Sequence, residues 1–394
     1  MRALHDYRAI RPVPVSLEEV LAARDRRQGL QSRLLHQTDC PLITMTLNLP
    51  GAYKRIALSS FFFDCQKTIL LRGLRGLGAE LVDQVTIRES TGDEWVVAVR
   101  GLSTLALKSL TLELENVSEA SRLLDLDVLD RDGQPVDRSH FDLPSRSCFL
   151  CDQPAKVCAA ARTHPLASLH EHLSGLLSDY LEGTLTDKLV SLAAEASSFE
   201  LMTAPKPGLV TPFKAGSHQD MDRFTFIRSQ AALIPYYRQA FLAGWEDQGS
   251  SALRLQGILA EASMKEETGG VNTHRGWIYA SGILLASAGR YCARIFFPAE
   301  GSNPLPPLSL STLSAHLAQD LENSVAAAPL FENLSGSLDV KGKEAGIRRE
   351  ALLGFPSVFE LGAPILRQAL VDGHDENAAG RRALLALLAT ADDS

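Results

Sequence analysis

Several features that usually announce a function are missing from these 394 residues. Positive charge is not in excess: the formal net charge is −8 and the pI about 5.7. That balance argues against a nucleic-acid or anionic-membrane surface, where binding rests on displaced counterions. Long apolar runs are absent too. The most hydrophobic stretch, Trp277 to Ala288, is bracketed by Arg275 and Arg290 and is too short to span a bilayer. Met1 to Arg8 contain no apolar core of the kind a secretory signal needs, so the expected compartment is the reducing cytosol. No P-loop, dinucleotide-binding glycine pattern or Ser-His-Asp signature occurs, which removes the commonest nucleotide-hydrolase and acyl-transfer readings. Only six cysteines are present. In a reducing compartment they read as metal ligands or buried thiols before disulfides.

What is there describes a globular chain. Hydrophobic residues make up 45% and charged residues 22%, and the length exceeds what one core usually fills. No internal repeat and no Gly/Ser linker is seen, but the composition changes near residues 165 to 185, and the expected domains are 1–175 and 176–394.

The first part alternates helix and strand. Ser16-Leu-Glu-Glu19 has the form of a capping box, and the arginine-rich run to His36 behind it reads as helix. Leu42 to Asn48 alternates in the strand manner, Trp95 to Arg100 is β-rich, and Leu105 to Glu115 keeps leucines two apart at Leu110, Leu112 and Leu114. The expectation is an α+β domain of nucleotidyltransferase type with a mixed or antiparallel sheet. From about Leu166 the strand signals stop. Helical periods follow at Leu185–Phe199, Phe224–Gly244, Ala252–Ser263, Gly276–Arg294, Leu310–Val325, Gly346–Leu353 and Ala378–Ala391, with Pro298–Pro307 as a loop, so this half is expected to be all-α.

In Leu124-Asp-Leu-Asp-Val128 the strand period puts Asp125 and Asp127 on one face, about 7 Å apart. Two carboxylates so placed suit Mg²⁺ and catalysis on a phosphorylated substrate, and equally suit a solvated strand face. Glu113 and Glu115 repeat the pattern; if they sit on a paired strand, four carboxylates converge. Asp132-Gly133 reads as a turn. Arg24 and Arg27 share a helix face, and Lys54 follows a Pro-Gly turn, so all three are candidate phosphate cations. Cys148, Cys151, Cys158 and His164 are the ligand types of tetrahedral zinc, with knuckle spacing in the leading pair; buried thiols are the alternative. Cys40, Cys65 and Cys292 stand alone as core or surface thiols.

Two polar runs mark the second half. Lys206-Pro-Gly-Leu-Val210 leads to His218-Gln-Asp-Met-Asp222, where Gly208 lets backbone amides approach an anion, Lys206 adds charge, and His218, Asp220 and Asp222 offer a base and carboxylates. Thr268-Gly-Gly-Val-Asn-Thr-His-Arg-Gly276 precedes an apolar helix, so Gly270, Asn272, His274 and Arg275 would lie at a helix N-terminus, a natural phosphate site. Gly346-Ile-Arg-Arg-Glu-Ala351 adds Arg348 and Glu350, though alone it reads as an ordinary amphipathic helix.

The first set of features resembles the apo-citrate lyase phosphoribosyl-dephospho-CoA transferase family, also called citrate lyase holo-acyl carrier protein synthase. The resemblance rests on the Arg-Asp-x-Arg-Gln core within Ser16 to Gln28, on Ser121-Arg-Leu-Leu-Asp-Leu-Asp-Val-Leu129, and on Ser147-Cys-Phe-Leu-Cys151 through Cys158 to His164. It implies transfer of phosphoribosyl-dephospho-CoA from its triphosphate precursor to a serine of the acyl carrier (gamma) subunit of citrate lyase, releasing pyrophosphate. Asp125 and Asp127 would then bind Mg²⁺, and Arg24, Arg27 and Lys54 the phosphates.

The Lys-Pro-Gly-Leu-Val, His-x-Asp-Met and Gly-Val-Asn-Thr-His-Arg-Gly signatures resemble triphosphoribosyl-dephospho-CoA synthase. That family condenses ATP with 3′-dephospho-CoA and releases adenine, so its product is the first domain's substrate. The resemblance implies catalytic roles for His218, Asp220 and Glu350, and substrate contacts for Lys206, Gly208, Gly270, Asn272, His274, Arg275 and Arg348. Arg349 stands where relatives carry glycine, and the chain stops before an Asp-Thr-Asn…Arg-Gly-Gly motif and a Ser-Pro-Gly-Gly-Ser-Ala-Asp segment. The expected protein is a fused enzyme. Alternatives are an active transferase carrying the second half as a scaffold, or a non-catalytic zinc-bearing module that binds the carrier protein.

Overall fold

The computed structural model describes residues 4–141, 143–297, 309–327 and 346–390. The expected Pro298–Pro307 loop lies outside them. Two compact units are formed, Met1–Gly183 and Thr184–Ser394.

In the first unit four antiparallel strands, β1 (Leu42–Leu47), β2 (Glu80–Glu89), β3 (Gly92–Arg100) and β4 (Leu124–Leu129), are ordered β2-β3-β1-β4. Of these, β2 went unread in the sequence, because its residues are all half-buried or exposed and a register shift between Leu81 and Asp83 interrupts its alternation. The two faces of the sheet differ. On one, Ile43, Met45, Trp95, Val97, Leu124, Leu126 and Val128 pack against Phe62, Phe63, Leu70 and Leu74 of a helix. On the other, Leu42, Val96 and Ala98 meet Leu30 and Leu34. Helices are numbered along the chain: α1 (Leu4–Arg8), α2 (Leu17–Thr38), α3 (Ala57–Gly76), α4 (Thr104–Glu115), α5 (Ala155–Ala161) and α6 (Leu166–Met202). The foreseen capping box starts α2: Ser16 Oγ accepts from Glu19 N, and Ser16 N donates to Glu19 Oε2.

Leu105 to Glu115 is helix α4, which corrects the strand reading. Ser103 caps it, its Oγ accepting from Ala106 N at 3.2 Å. The alternating leucines hid a helical period: Leu107, Thr111 and Leu114 are buried, spaced four and three apart, while Leu105 is exposed. The chain reaches β4 by a tight turn from Ala120 to Leu123 rather than from a paired strand.

The second unit is helical, with α7 (Arg223–Trp245), α8 (Ser250–Glu267), α9 (Arg275–Phe296), α10 (Leu310–Ala327), α11 (Ile347–Leu352), α12 (Ala363–Val371) and α13 (Glu376–Thr390) after the end of α6. Its core is the pair α7 and α9, which run parallel: Ser229 meets His274 near their starts, and Gly244 meets Ala286 nearer their ends. Glycine permits that approach. A Cβ on Gly244 would lie 1.9 Å from Ala286 O, and one on Gly282 would lie 2.0 Å from the Tyr236 hydroxyl. Among the described residues no helix is long and apolar enough to cross a membrane.

Candidate functional sites

On the first unit the candidate residues gather on the α2 face of the sheet. Strand β4 points Leu124, Leu126 and Val128 into the core and turns Asp125 and Asp127 outward together. They lie in register with Thr46 and Thr44 of β1, and Gln31 of α2 donates to Thr44 Oγ1 at 2.8 Å. Loss of solvent and the neighbouring Asp125 carboxylate raise the pKa of Asp127, while Lys108 and Arg27 oppose the rise. Such a pair invites a cation. Arg27 also donates to the buried Glu94 at 2.9 Å. Burial raises the pKa of Glu94, and Arg27 and Arg26 offset part of that.

The Lys54 ammonium donates to Leu49 O; burial and the nearby Arg24 guanidinium lower its pKa. Two cations held in mutual repulsion favour an anion. Glu113 and Glu115 do not join the aspartates as a strand pair. Glu113 is exposed on α4, and Glu115 is buried, paired with Arg146 at 2.6 Å and Arg138 at 3.2 Å, and accepts from Leu126 N at 3.0 Å. The Asp132-Gly133 turn is present, with Asp130 Oδ1 accepting from Asp132 N and Gln134 N.

A charge network on the opposite, α3 face was not foreseen. Asp93 accepts from Arg55 at 3.1 Å, from Arg88 at 3.3 Å and from Ser60. Asp64 accepts from Tyr7 at 2.7 Å and from Arg88 at 2.5 Å. The first and last of these residues, Tyr7 and Asp93, stand 86 positions apart, so no short motif carries the signal.

Cys148, Cys151, Cys158 and His164 come together as one group able to hold a metal ion, with all ligand atoms within 4.8 Å of one another. Cys40, Cys65 and Cys292 are buried, and burial pushes the Cys65 and Cys292 thiols up to about 12. They are core thiols.

In the second unit both polar runs lie at the same end of the parallel helices, since Lys206–Asp222 leads into α7 and Thr268–His274 into α9. Gly208 has φ +72° and Gly270 φ +92°, conformations that a side chain would strain. Lys206 is buried, its ammonium donating to Glu200 O at 2.5 Å and pairing with the Glu200 carboxylate. His218 and Asp220 are exposed, 4.0 Å apart. Asp222 caps α7, its carboxylate accepting from Phe224 N and Thr225 N; those bonds lower its pKa. Asn272 Oδ1 accepts from Arg275 N at 3.2 Å in the turn entering α9.

The His274 ring is buried, hydrogen-bonded through Nδ1 to Ser229 Oγ at 2.6 Å and edge-on to Phe226. Burial pushes its pKa down to about 4, so near neutral pH it carries no charge. Glu350 accepts from Ser357 N at 3.2 Å and Ser357 Oγ at 2.6 Å, tying α11 to the turn that follows it.

Arg275 and Arg348 meet instead in a cavity of about 170 Å³ among α8, α9, α10 and α11. Arg254, Glu261, Tyr279 and Glu322 join them, and Ile258, Ile278 and Leu321 form apolar wall. Arg275 lies 3.5 Å from Glu261, Arg348 lies 3.9 Å from Glu322, and Tyr279 donates to Glu322 at 3.2 Å. Burial and Glu322 raise the pKa of Tyr279. Sequence reasoning missed Arg254, Glu261, Tyr279 and Glu322, each an ordinary polar position on an amphipathic helix.

Comparison with known proteins divides the chain in the same way. Residues 15–180 match the apo-citrate lyase phosphoribosyl-dephospho-CoA transferase family, and residues 186–394 the ATP:dephospho-CoA triphosphoribosyl transferase family. A protein from Haemophilus influenzae named Protein CitXG is 32% identical over 353 residues, covering 86% of this chain and 74% of its own. A Protein CitXG from Leuconostoc mesenteroides is 29% identical over 380 residues, 89% and 78% of the two chains. The apo-citrate lyase phosphoribosyl-dephospho-CoA transferase of Citrobacter koseri is 36% identical over 165 residues, 42% of this chain and 90% of its own.

Proposed function

From the premise that the chain belongs to the apo-citrate lyase phosphoribosyl-dephospho-CoA transferase family in its first part and to the ATP:dephospho-CoA triphosphoribosyl transferase family in its second, we propose how its two sites make and attach one prosthetic group. The chain is a bifunctional transferase. Its second unit converts ATP and 3′-dephospho-CoA to 2′-(5″-triphosphoribosyl)-3′-dephospho-CoA and adenine, and its first transfers phosphoribosyl-dephospho-CoA to a serine of the apo carrier, releasing pyrophosphate. The observation that carries this reading is that each matched segment holds its own cluster of cations and carboxylates.

In the first unit Arg24, Arg27 and Lys54 would bind the triphosphate, and Asp125 and Asp127 would hold Mg²⁺. The donor set fits: two exposed carboxylates share one face of β4. When bound, the ion would neutralise charge on the departing pyrophosphate. The serine oxygen forms the new bond to phosphorus as the bond to pyrophosphate breaks, and the carrier's gamma subunit supplies that serine.

In the second unit the ribose 2′-hydroxyl of dephospho-CoA bonds to the anomeric carbon of the ATP ribose as adenine leaves, a substitution with oxocarbenium character. Arg254, Arg275 and Arg348, with amides at the α9 N-terminus, would hold phosphate. Asp220, beside His218, is the proton acceptor in this reading. His274, neutral and buried, would order the loop, and Glu350 would hold α11. The expected compartment is the cytosol, where ATP is available.

The test incubates full-length protein with ATP, dephospho-CoA and Mg²⁺, then adds apo carrier. Adenine should appear first and pyrophosphate only with the carrier, whose mass should rise by one phosphoribosyl-dephospho-CoA. No adenine from ATP and dephospho-CoA, but pyrophosphate when ready-made triphosphoribosyl-dephospho-CoA is added with the carrier, would support an active transferase with a scaffold domain; neither product even then would support the binding module.

A further inference from the structure

We propose that Cys148, Cys151, Cys158 and His164 bind one structural Zn²⁺, and that this ion fixes the end of β4 from which Asp125 and Asp127 project. The metal site itself does not depend on the proposed transfer chemistry; the consequence for Asp125 and Asp127 does.

The donor atoms already lie near the spacing of a shared ion, all four within 4.8 Å of one another. Cys151 Sγ lies 3.5 Å from Cys158 Sγ, and His164 Nε2 lies 3.2 Å from Cys151 Sγ. Tetrahedral zinc with Zn–S of about 2.3 Å and Zn–N of about 2.0–2.1 Å sets its ligands roughly 3.5–3.8 Å apart. No disulfide joins the thiols.

The backbone is shaped around them. Leu150 N donates to Cys148 Sγ at 3.5 Å, as in a metal-binding knuckle, and Cys148 N donates to Gln153 O at 2.7 Å. After α5, Arg162 takes the left-handed conformation at φ 48°, and the turn brings His164 back to Cys151. Little apolar packing holds α5 itself, whose only buried residue is Cys158. Three thiols and an imidazole have no reason to converge without a core or an ion. Four protein ligands also leave no open position, the arrangement of a structural rather than a catalytic zinc.

The knuckle is tied to β4 by two arginines. Arg122 donates to Ser147 O at 2.8 Å and Cys148 O at 3.2 Å, and stacks on Phe149. Arg146 donates to Leu124 O at 2.7 Å and pairs with Glu115, which in turn accepts from Leu126 N. The backbone on both sides of Asp125 is thus anchored to the metal-bearing loop.

Elemental analysis of the reduced full-length chain should find about one zinc per chain. Replacement by Co²⁺ should give the thiolate charge-transfer and d–d bands of a tetrahedral, sulfur-rich site. Cys151→Ser and His164→Ala should each lower zinc content at least tenfold, and should slow transfer to the carrier tenfold or more while adenine release holds at the unaltered rate. Asp127→Ala should keep its zinc. If these variants do not fold, the cobalt spectrum of the unaltered protein decides. Absence of bound zinc or cobalt at micromolar metal would overturn the site, and loss of zinc with undiminished transfer would overturn its link to β4. A zinc-loaded protein that transfers nothing would count against the proposed function, not against the metal.

Discussion

The two units assemble their candidate sites in different ways. In the first, a strand with a two-residue period presents Asp125 and Asp127 on one face, and one helix across that face supplies Arg24 and Arg27. In the second, parallel helices bring two loop entries to one end, and a cavity among α8, α9, α10 and α11 collects Arg254, Arg275 and Arg348 from separate stretches of chain. A sheet fixes side chains by register, whereas a bundle fixes them by how closely its helices approach. Damage should therefore be local to one carboxylate in the first unit and spread through packing in the second.

The largest effect is expected from Asp127→Ala. Removing a group that would stabilise charge in the transition state costs on the order of 10²–10³-fold, so transfer to the carrier should fall by that much while adenine release stays unchanged. Parallel assays of the two half-reactions make the check, and a fall in both would dissolve the division between sites. Arg348→Ala should lower adenine release by about 10–100-fold, the loss of one charged contact worth roughly 1.5–3 kcal/mol, with transfer from ready-made intermediate intact.

That contrast also shows what could be read in advance. The sheet face bearing Asp125 and Asp127 was legible because period two is local to five residues. The same local logic misread α4, where leucines two apart imitate a strand until Ser103 caps a helix. Glu261, Tyr279 and Glu322 gave no signal, since their convergence depends on how α8, α9 and α10 pack. His274 looked like a phosphate ligand by composition, and only its burial against Ser229 and Phe226 shows a neutral ring.

Packing effects come next in size. Gly282→Ala would drive a methyl group into the Tyr236 hydroxyl, which donates to Ile278 O at 2.7 Å. Overpacking of this kind costs about 1–3 kcal/mol, and calorimetry should show the second unit's transition shifting down while the first unit's holds. A uniform shift of both would mean that they do not respond separately.

The smallest effect concerns pH. Above about 6.5, the ordinary His274 value, the imidazole is neutral in the folded and unfolded chain alike. As pH falls from there to about 4, the unfolded chain takes up a proton that the folded one refuses, so stability declines across that window. In His274→Gln the second unit's melting midpoint should decline less steeply over the same range. An unchanged slope would remove His274 as its cause.

One chain makes the intermediate at one site and consumes it at another. Intact-mass spectrometry of the carrier, with Asp127→Ala and Arg348→Ala each supplied with ready-made triphosphoribosyl-dephospho-CoA, tests it most directly. Arg348→Ala should modify the carrier fully and Asp127→Ala almost not at all. Modification by Asp127→Ala, or failure by a folded Arg348→Ala, would contradict it.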